Sequence, residues 1–467
     1  VFMLGTTLLG HWLGGGSRGL DGFFLGGRDL PWWAVSCSIM ASQLSAVTII
    51  AVPGAIFRPD GNLLFLQGTL LGFVLAKFLM AYLFVKPFYE RKIYSPYDFI
   101  EYKLGQGPAQ LSRGLFMVGA ILGHGVRLLT IALVLNVVVD ISIGTSVLII
   151  AAFAVLWTLM GGIKTVIWTD FVLFIMMVLG GVITVLAIAN TLPFGFGEAV
   201  RQLDEAAKLR LIDVSLDPAK TWTLWTGLIA FAIFELAQNA VDQVITQRMM
   251  CCRDARQARK AVLGSLGITL FTLLFTCVGL TVWLNFQHLG LDEAGAALLA
   301  EQPSRAYPYY IVNQLPAGVS GLLIAGIFAA GISTLDSALA ALSETTVNGI
   351  YRKWVRPNAT EQQSLRVSRL AVVSWAVVLS GLAYLAGRLV QDEGLLNLAY
   401  KAPILTYGPL LMIALCALKR WGSPATLISG ALVAVAGSLA LVIAKRYEVI
   451  TMDEFWVYPI SCVVFLV

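Results

Sequence analysis

Charged residues are scarce in this sequence of 467 residues, in which Asp, Glu, Lys and Arg together make up 13%. Soluble proteins average about 25% charged residues, whereas hydrophobic residues account for 58% of this chain. The composition therefore excludes an ordinary soluble domain and predicts an all-α polytopic protein that lies in a lipid bilayer. The net charge of +5 does not indicate a nucleic-acid partner, because the basic residues fall in short loops between apolar runs.

Residues and motifs that carry enzyme chemistry are also few. The chain has three histidines and six cysteines, and the cysteines lack metal-binding or redox spacing, so we expect free thiols. The sequence contains neither a Walker-type phosphate loop nor a zinc-binding H-E-x-x-H motif. We therefore expect a protein that is not an enzyme, and nothing in the sequence indicates an obligate protein partner.

Hydropathy divides the chain into about 13 apolar runs that are candidates for membrane spans. The runs cover residues 1–13, 32–57, 63–87, 110–139, 144–160, 166–190, 222–245, 262–286, 309–348, 367–389, 394–418, 424–444 and 453–467. When successive loops are assigned alternately to the two sides of the membrane, the loops of one side carry roughly twice as many Lys and Arg residues as those of the other. Arg248 is counted in the richer set. This bias predicts a multi-pass protein of the cell inner membrane, with its N-terminus outside and its C-terminus in the cytoplasm.

The second run, residues 32–57, is long enough to cross a bilayer, but its middle is polar. Hydroxyls and one amide occur there, at Ser38, Ser42, Gln43, Ser45 and Thr48. Because lipid offers no hydrogen bonds, these groups need partners inside the protein, and the small residues allow the backbone to leave the helix and expose carbonyls. Such oxygens are hard ligands that suit an alkali cation. The alternative is close helix packing through small residues.

The ninth run contains a second polar segment. Ala330, Ser333 and Thr334 have the i, i+3, i+4 spacing of one helix face, Ser337 repeats the spacing from Ser333, and Asp336 adds a carboxylate. A carbonyl and two hydroxyls on this face, opposed by loosened carbonyls of the second run, predict a cage of oxygens with little charge. That ligand set favours Na⁺ over Ca²⁺ or Zn²⁺. The alternative is a packing face whose hydroxyls bond carbonyls four residues earlier.

Other ionisable and amide side chains also fall inside apolar runs, where they are functional candidates. Asp170 is either an interfacial carboxylate or a contact for a cation or proton. Glu235 and Gln67 are candidates to hydrogen-bond a polar solute. Arg127 either holds a carboxylate in a bidentate manner or pairs with a buried acid. Lys77 is assigned no role, because its long stem allows the ammonium to reach the membrane surface.

Five segments resemble motifs of the sodium:solute symporter family, in order and at family spacing. They are FFLGGRDLPWW at 23–33, VPGA at 52–55, GGIKTVIWTD at 161–170, QVITQR at 243–248 and AAGISTLDS at 329–337. The resemblance implies a LeuT-type fold, in which ten core helices form two inverted repeats of five. One helix precedes this core and two follow it.

The resemblance also implies a division of the chain. Residues 1–31 would form the first helix and a cytoplasmic loop, 32–190 the first repeat, 191–221 an external loop, 222–418 the second repeat and 419–467 the C-terminal helices. The sixth core helix should be broken like the first. Its sequence has neither a proline nor a central glycine at that point, so nothing in the sequence explains such a break.

Ligand positions follow from the resemblance residue by residue. The main Na⁺ site would use carbonyls of the broken first core helix and groups of the eighth, namely Ala41, Leu44, Ala330, Ser333 and Thr334. A second Na⁺ site of some members would correspond to Asp170 and Ser337, with Ser333 nearby. Asp336 stands where some members have a hydroxyl, and it either strengthens this second ion site or binds a proton instead.

Solute contacts of sugar- and sialate-transporting members correspond to Gln43, Ser45, Thr48, Gln67 and Glu235, with Arg127 as a looser match. Gln238 replaces the gating tyrosine of sugar transporters, and no lysine occurs in residues 262–286. These departures argue against a simple hexose. We expect a Na⁺-coupled symporter for a small polar solute, with a carboxylate-bearing or sialate-like acid favoured. The alternatives are a proton-coupled carrier that uses Asp336 or Asp170, and a membrane sensor with a symporter-like core.

Overall fold

The computed structural model describes residues 5, 19–43, 46–91, 93–139, 141–389 and 400–467. Throughout this part of the chain the secondary structure is helical, apart from a single β-bridge between Leu30 and Cys252. The helices of the first half are α1 (Gly19–Leu25), α2 (Trp32–Gln43), α3 (Ala46–Phe57), α4 (Leu64–Tyr89), α5 (Pro96–Leu104), α6 (Gln106–Val139), α7 (Ile143–Thr191) and α8 (Phe196–Glu205).

The second half begins with a helix that is bent sharply. Its helices are α9 (Thr226–Ala240), α10 (Gln243–Met249), α11 (Ala255–Leu289), α12 (Glu293–Glu301), α13 (Ala306–Gln314), α14 (Ala317–Thr346), α15 (Glu361–Leu389), α16 (Tyr407–Lys419), α17 (Pro424–Arg446) and α18 (Val457–Leu466). A π-helical segment, Val347–Val355, continues α14.

Seven of the described helices are long and apolar enough to cross a membrane, and nine spans result when each of two bent pairs counts as one. Three shorter apolar helices add to these, namely Ile143–Leu159, Tyr407–Lys419 and Glu454–Leu466. A multi-pass membrane protein is therefore confirmed. The count of 13 spans and the inverted repeats stay predictions, and the predicted span 1–13 falls almost wholly outside the described residues.

A glycine separates the fifth and sixth predicted spans. Within α7, Gly162 has φ 61° and ψ −175°, a left-handed conformation that side chains other than glycine rarely adopt. The helix bends here, and the segments on either side are the apolar helices Ile143–Leu159 and Gly162–Thr191. The kink therefore divides α7 where the sequence predicted a boundary between residues 160 and 166.

The first bent pair consists of α2 and α3, whose axes differ by 49°. Two predicted site residues, Leu44 and Ser45, fall between these helices and outside the described residues. On the far side, Pro53 lies inside α3, where it removes one backbone hydrogen bond. The described helices thus agree with the break that was predicted in the second apolar run.

The second bent pair consists of α9 and α10, whose axes differ by 56°. Asp242 explains this break, because its side chain accepts a hydrogen bond from the backbone N–H of Val244 at 2.8 Å and so caps the start of α10. Tyr407 donates to the same carboxylate at 2.5 Å, and Tyr97 donates to the carbonyl of Val241 at 2.7 Å. The helix cap at Asp242 therefore accounts for the break, although neither a proline nor a glycine occurs there.

Lys208 ties the segment between α7 and α9 to the end of α3. Its ammonium donates to the carbonyls of Ile56 at 3.0 Å, Arg58 at 2.6 Å and Pro59 at 3.4 Å. A cation is favourable at a helix C-terminus, where carbonyls are unpaired. Burial lowers the pKa of Lys208 below its ordinary value. This contact holds the end of α3, the second helix of the first bent pair.

Candidate ion and solute sites

The residues predicted for the main Na⁺ site lie on two helices that touch. Helix α14 packs along α7 and also contacts α2. Ala41 on α2 and Ala330, Ser333 and Thr334 on α14 are all buried. The Thr334 hydroxyl donates to the carbonyl of Ala330 at 2.9 Å, so two of the proposed ligand oxygens are neighbours. A bond to the carbonyl four residues earlier is what the alternative of a packing face predicts, and the donating hydroxyl also keeps lone pairs that can face a cation, so the Na⁺ site stays a prediction.

A buried ion pair lies directly beside these residues. Arg248 on α10 and Asp170 on α7 form a salt bridge of 3.2 Å, and both side chains are 0% exposed. The guanidinium also donates to the hydroxyl of Ser38 at 2.9 Å and to that of Ser337. Asp170 in turn accepts hydrogen bonds from Ser38 and Ser333. Four separate helices thus meet at one pair of opposite charges.

Asp336 lies next to this cluster with one oxygen unsatisfied. Its Oδ1 accepts a hydrogen bond from Ser337 at 3.1 Å. Its Oδ2 is buried and has no hydrogen-bond partner in the part of the chain that the structure describes. Because an unpaired buried carboxylate oxygen is costly, this atom requires a proton or a cation. The structure therefore brings Asp170, Ser337 and Asp336 together, with Arg248 as an additional member.

A second polar cluster joins the two helix breaks. Gln43, the last residue of α2, donates to Gln238 at 3.0 Å and, at longer range, to Asn239 at 3.4 Å and Glu235 at 3.5 Å. Asn239 donates to the carboxylate of Glu235 at 3.2 Å. Lys77 on α4 donates to Gln43 at 2.7 Å and to Asn239 at 2.6 Å. These five residues are called the break cluster below.

Three other predicted solute contacts lie apart from the break cluster. Gln67 donates to the carbonyl of Trp222 at 3.1 Å and accepts from the N–H of Asp213 at 3.2 Å, so both ends of its amide hold the segment before α9. Thr48 is half-buried on α3. Arg127 is half-buried on α6 and forms no hydrogen bond or ion pair with a described residue, although its charge acts on Glu235.

Sequence reasoning missed the parts that Lys77, Asn239 and Arg248 take in these clusters. Lys77 was noticed as a cation inside a span, but it does not reach the membrane surface, since it is 0% exposed. Asn239 follows Glu235 by four residues, a spacing that places both on one helix face. Arg248 was counted as a loop cation and is instead fully buried. Its position at the end of the QVITQR motif was the available signal.

The described helices, with two broken pairs and polar residues buried at the breaks, define a multi-pass membrane protein of the transporter class. The model of the sodium:solute symporter family matches residues 23–433. The chain belongs to this family, as the motif resemblance predicted.

Two relatives and one solved structure illustrate the similarity. The human sodium/iodide cotransporter is 28% identical over 378 residues, which is 80% of this chain and 57% of that protein. The sodium/sialic acid symporter SiaT of Proteus mirabilis (strain HI4320) is 25% identical over 463 residues, 96% of this chain and 88% of that protein. This chain spans less than two thirds of the length of the first curated relatives it matches.

A substrate-bound, outward-open Na⁺-coupled sialic acid symporter has a TM-score of 0.85 at 21% identity, with 100% of this chain and 94% of that chain covered. This likeness shows the fold.

Proposed function

We propose that the chain is a Na⁺-coupled symporter that imports a small polar organic solute with a carboxylate group by alternating access. The observation that carries the proposal is the burial of Ala41 on α2 and of Ala330, Ser333 and Thr334 on α14, two helices that contact each other. The relatives support an anionic solute, since iodide and sialic acid are both anions at neutral pH. We further propose that this symporter lies in the inner membrane with its C-terminus in the cytoplasm, which the loop charges support.

Coupling requires that Na⁺ prefers one conformation, because a ligand shifts an equilibrium only through its different affinity for the two states. In this proposal the ion is held by the carbonyls of Ala41, Leu44 and Ala330 and by the hydroxyls of Ser333 and Thr334. It joins α2 to α14 and favours the outward-open state. A solute that contacts both helix breaks then permits closure, and the two bindings strengthen each other.

We propose that Gln43, Ser45, Thr48, Arg127 and Glu235 contact the solute. The sixth proposed contact, Gln67, uses both ends of its amide in bonds to the segment before α9. It therefore contacts a solute only after this segment moves. Such a movement would link solute binding to closure of the segment over the site.

A second cation is proposed at Asp336, with Asp170 and Ser337 beside it. Arg248 already forms an ion pair with Asp170. A further positive charge would therefore be stabilised at the unpartnered Oδ2 of Asp336. A proton and a Na⁺ ion both carry such a charge. The unpartnered oxygen therefore supports either a second Na⁺ ion or, as the second candidate function, proton coupling.

Uptake into proteoliposomes, with the Na⁺ gradient and the pH gradient imposed separately, tests the function. The purified full chain would be supplied with labelled N-acetylneuraminate, lactate or iodide. We expect an inward Na⁺ gradient to drive accumulation of at least one anion at equal pH on both sides. Accumulation that follows the pH gradient in the absence of Na⁺ would instead establish the proton-coupled carrier.

Replacement of Arg127 by Gln should weaken transport of a carboxylate far more than transport of its neutral amide or ester. Hydrogen bonds to charged groups contribute about 1.5–3 kcal/mol, so the half-saturating concentration of the acid should rise about tenfold to a hundredfold. Competition of acid and neutral analogue for labelled uptake measures the difference. Arg201→Gln is the control, because this arginine is 64% exposed on α8; equal losses for both solutes in the Arg127 variant would remove the proposed role.

A further inference from the structure

Lys77 is a cation enclosed in the protein about halfway along α4. Its side chain is 0% exposed, and its ammonium lies between the end of α2 and the end of α9. Removing an ammonium from water is unfavourable unless acceptors and an opposite charge replace the water. The groups around Lys77 therefore indicate which further ligand suits its ammonium.

Among the described residues, the hydrogen bonds of Lys77 use two of the three donors of its ammonium. An ammonium has three N–H groups, and the described partners are the side-chain oxygens of Gln43 and Asn239. Both partners are neutral amides. Among the described residues, Lys77 forms no ion pair with a carboxylate, so the positive charge is solvated by dipoles without being neutralised by direct contact.

The side-chain amides of Gln43 and Asn239 stand between Lys77 and Glu235. Its Oε2 accepts from Asn239 at 3.2 Å and, more weakly, from Gln43 at 3.5 Å. Its Oε1 accepts no hydrogen bond from a described residue and is not among the fully buried unpartnered atoms. Within the part of the chain that the structure describes, the cluster thus presents a donor on Lys77 and an acceptor on Glu235 that have no partner.

We propose that Lys77 is a specificity-determining residue that donates its third N–H to the carboxylate of the solute. This inference rests on the proposed function, and it narrows the solute to small anions that also carry a hydroxyl or amino group. The carboxylate pairs with Lys77 at the two helix breaks, and the donor group of the solute reaches the free oxygen of Glu235. The half-buried Arg127, whose charge also acts on Glu235, adds to the attraction.

The charge distribution at Lys77 also predicts how selectivity arises. Because Lys77 is enclosed, its attraction for an anion is screened less than that of a half-buried group such as Arg127. A neutral analogue leaves the third N–H of the ammonium without an ionic partner. The preference for the acid over its ester or amide should therefore depend on Lys77 as well as on Arg127.

Two variants test the proposal with the purified full chain. Lys77→Gln removes the charge, and Asn239→Asp places a built-in carboxylate beside the ammonium with almost no change of shape. Thermal stability in detergent would be measured with and without Na⁺, and with N-acetylneuraminate or lactate against N-acetylneuraminate methyl ester or lactamide. Lys86→Gln is the matched control, since Lys86 is an exposed lysine on the same helix.

We expect the wild type and Lys86→Gln to prefer an acid over its neutral analogue, and both test variants to lose at least tenfold of this preference. Asn239→Asp gives the buried ammonium a carboxylate partner but removes the N–H groups that Glu235 accepts, so its melting temperature is compared with that of the wild type, and it decides the question if Lys77→Gln does not fold. A preference that persists in Asn239→Asp overturns the role of Lys77. If Na⁺ changes the thermal stability of the wild type but acids and neutral analogues act equally, the role of Lys77 is also overturned and Na⁺ coupling remains intact. If Na⁺ has no effect on the thermal stability of the wild type, the proposed function itself is contradicted.

Discussion

Replacement of Arg248 by Met should lower the free energy of unfolding by about 3–5 kcal/mol, because it leaves the buried carboxylate of Asp170 without its counter-charge. The guanidinium also bonds the hydroxyls of Ser38 and Ser337 and the carbonyl of Val244. These bonds join α10 to α2 and α14, so their loss also loosens the packing of the bundle. Thermal denaturation of the purified protein in detergent, compared at equal protein and salt concentration, measures the effect.

A double variant separates the charge effect from the loss of packing. Asp170→Asn combined with Arg248→Met removes both charges, so it should be more stable than Arg248→Met alone. Arg201→Gln, at an exposed position of α8, should change stability by less than about 0.5 kcal/mol. If the double variant is instead less stable than Arg248→Met, the ion pair does not account for the stabilisation at this site.

Sodium should act differently on Arg248→Met and on the wild type. Once the guanidinium is gone, Asp170 and the nearby Asp336 are two buried carboxylates without a fixed cation. A free cation that binds the folded state but not the unfolded chain stabilises the fold by mass action. Added Na⁺ should therefore restore more stability to this variant than to the wild type, as the proposed second ion site requires.

Much of the fold could be predicted because the local composition of the sequence is enough to identify a membrane span. The run of 18 or more apolar residues identifies a span without knowledge of its neighbours, and Gly162 lies at the boundary between two predicted runs. The break after Ala240 could not be predicted in this way. It depends on Asp242 as a helix cap and on Tyr407 as its partner, and a single aspartate near the end of an apolar run is equally typical of an interfacial residue.

The candidate sites were predictable only where the ligands share a helix. Ser333 and Thr334 are on α14 close to Ala330, so their spacing alone grouped them. Lys77 and Arg248 were visible as charges, but one sequence does not show which side of a helix faces the protein interior. Their partners lie far along the chain, as with the hydrogen bond between Lys77 and Asn239. Such contacts follow from tertiary packing, which local patterns do not encode.

Replacement of Thr334 by Ala should raise the Na⁺ concentration for half-maximal uptake by about tenfold to a hundredfold. The hydroxyl is one of the five oxygens proposed for the main site, and a polar contact to a charged group is worth about 1.5–3 kcal/mol. Thr334→Ser retains the oxygen and should stay close to the wild type. Ser333→Ala should show a similar rise, together with a loss of stability, because Ser333 also donates to Asp170.

Thr345 provides a matched control on the same helix. Like Thr334, it is buried and donates to the carbonyl four residues earlier, at 2.9 Å to Ala341. Thr345→Ala therefore removes the same intrahelical bond without removing a proposed ion ligand. Should both alanine variants change the Na⁺ dependence of uptake equally, the effect belongs to the helix and not to the ion. A rise confined to position 334 would support a direct contact of its oxygen with Na⁺ between α2 and α14, because the two threonines share their burial and their intrahelical bond.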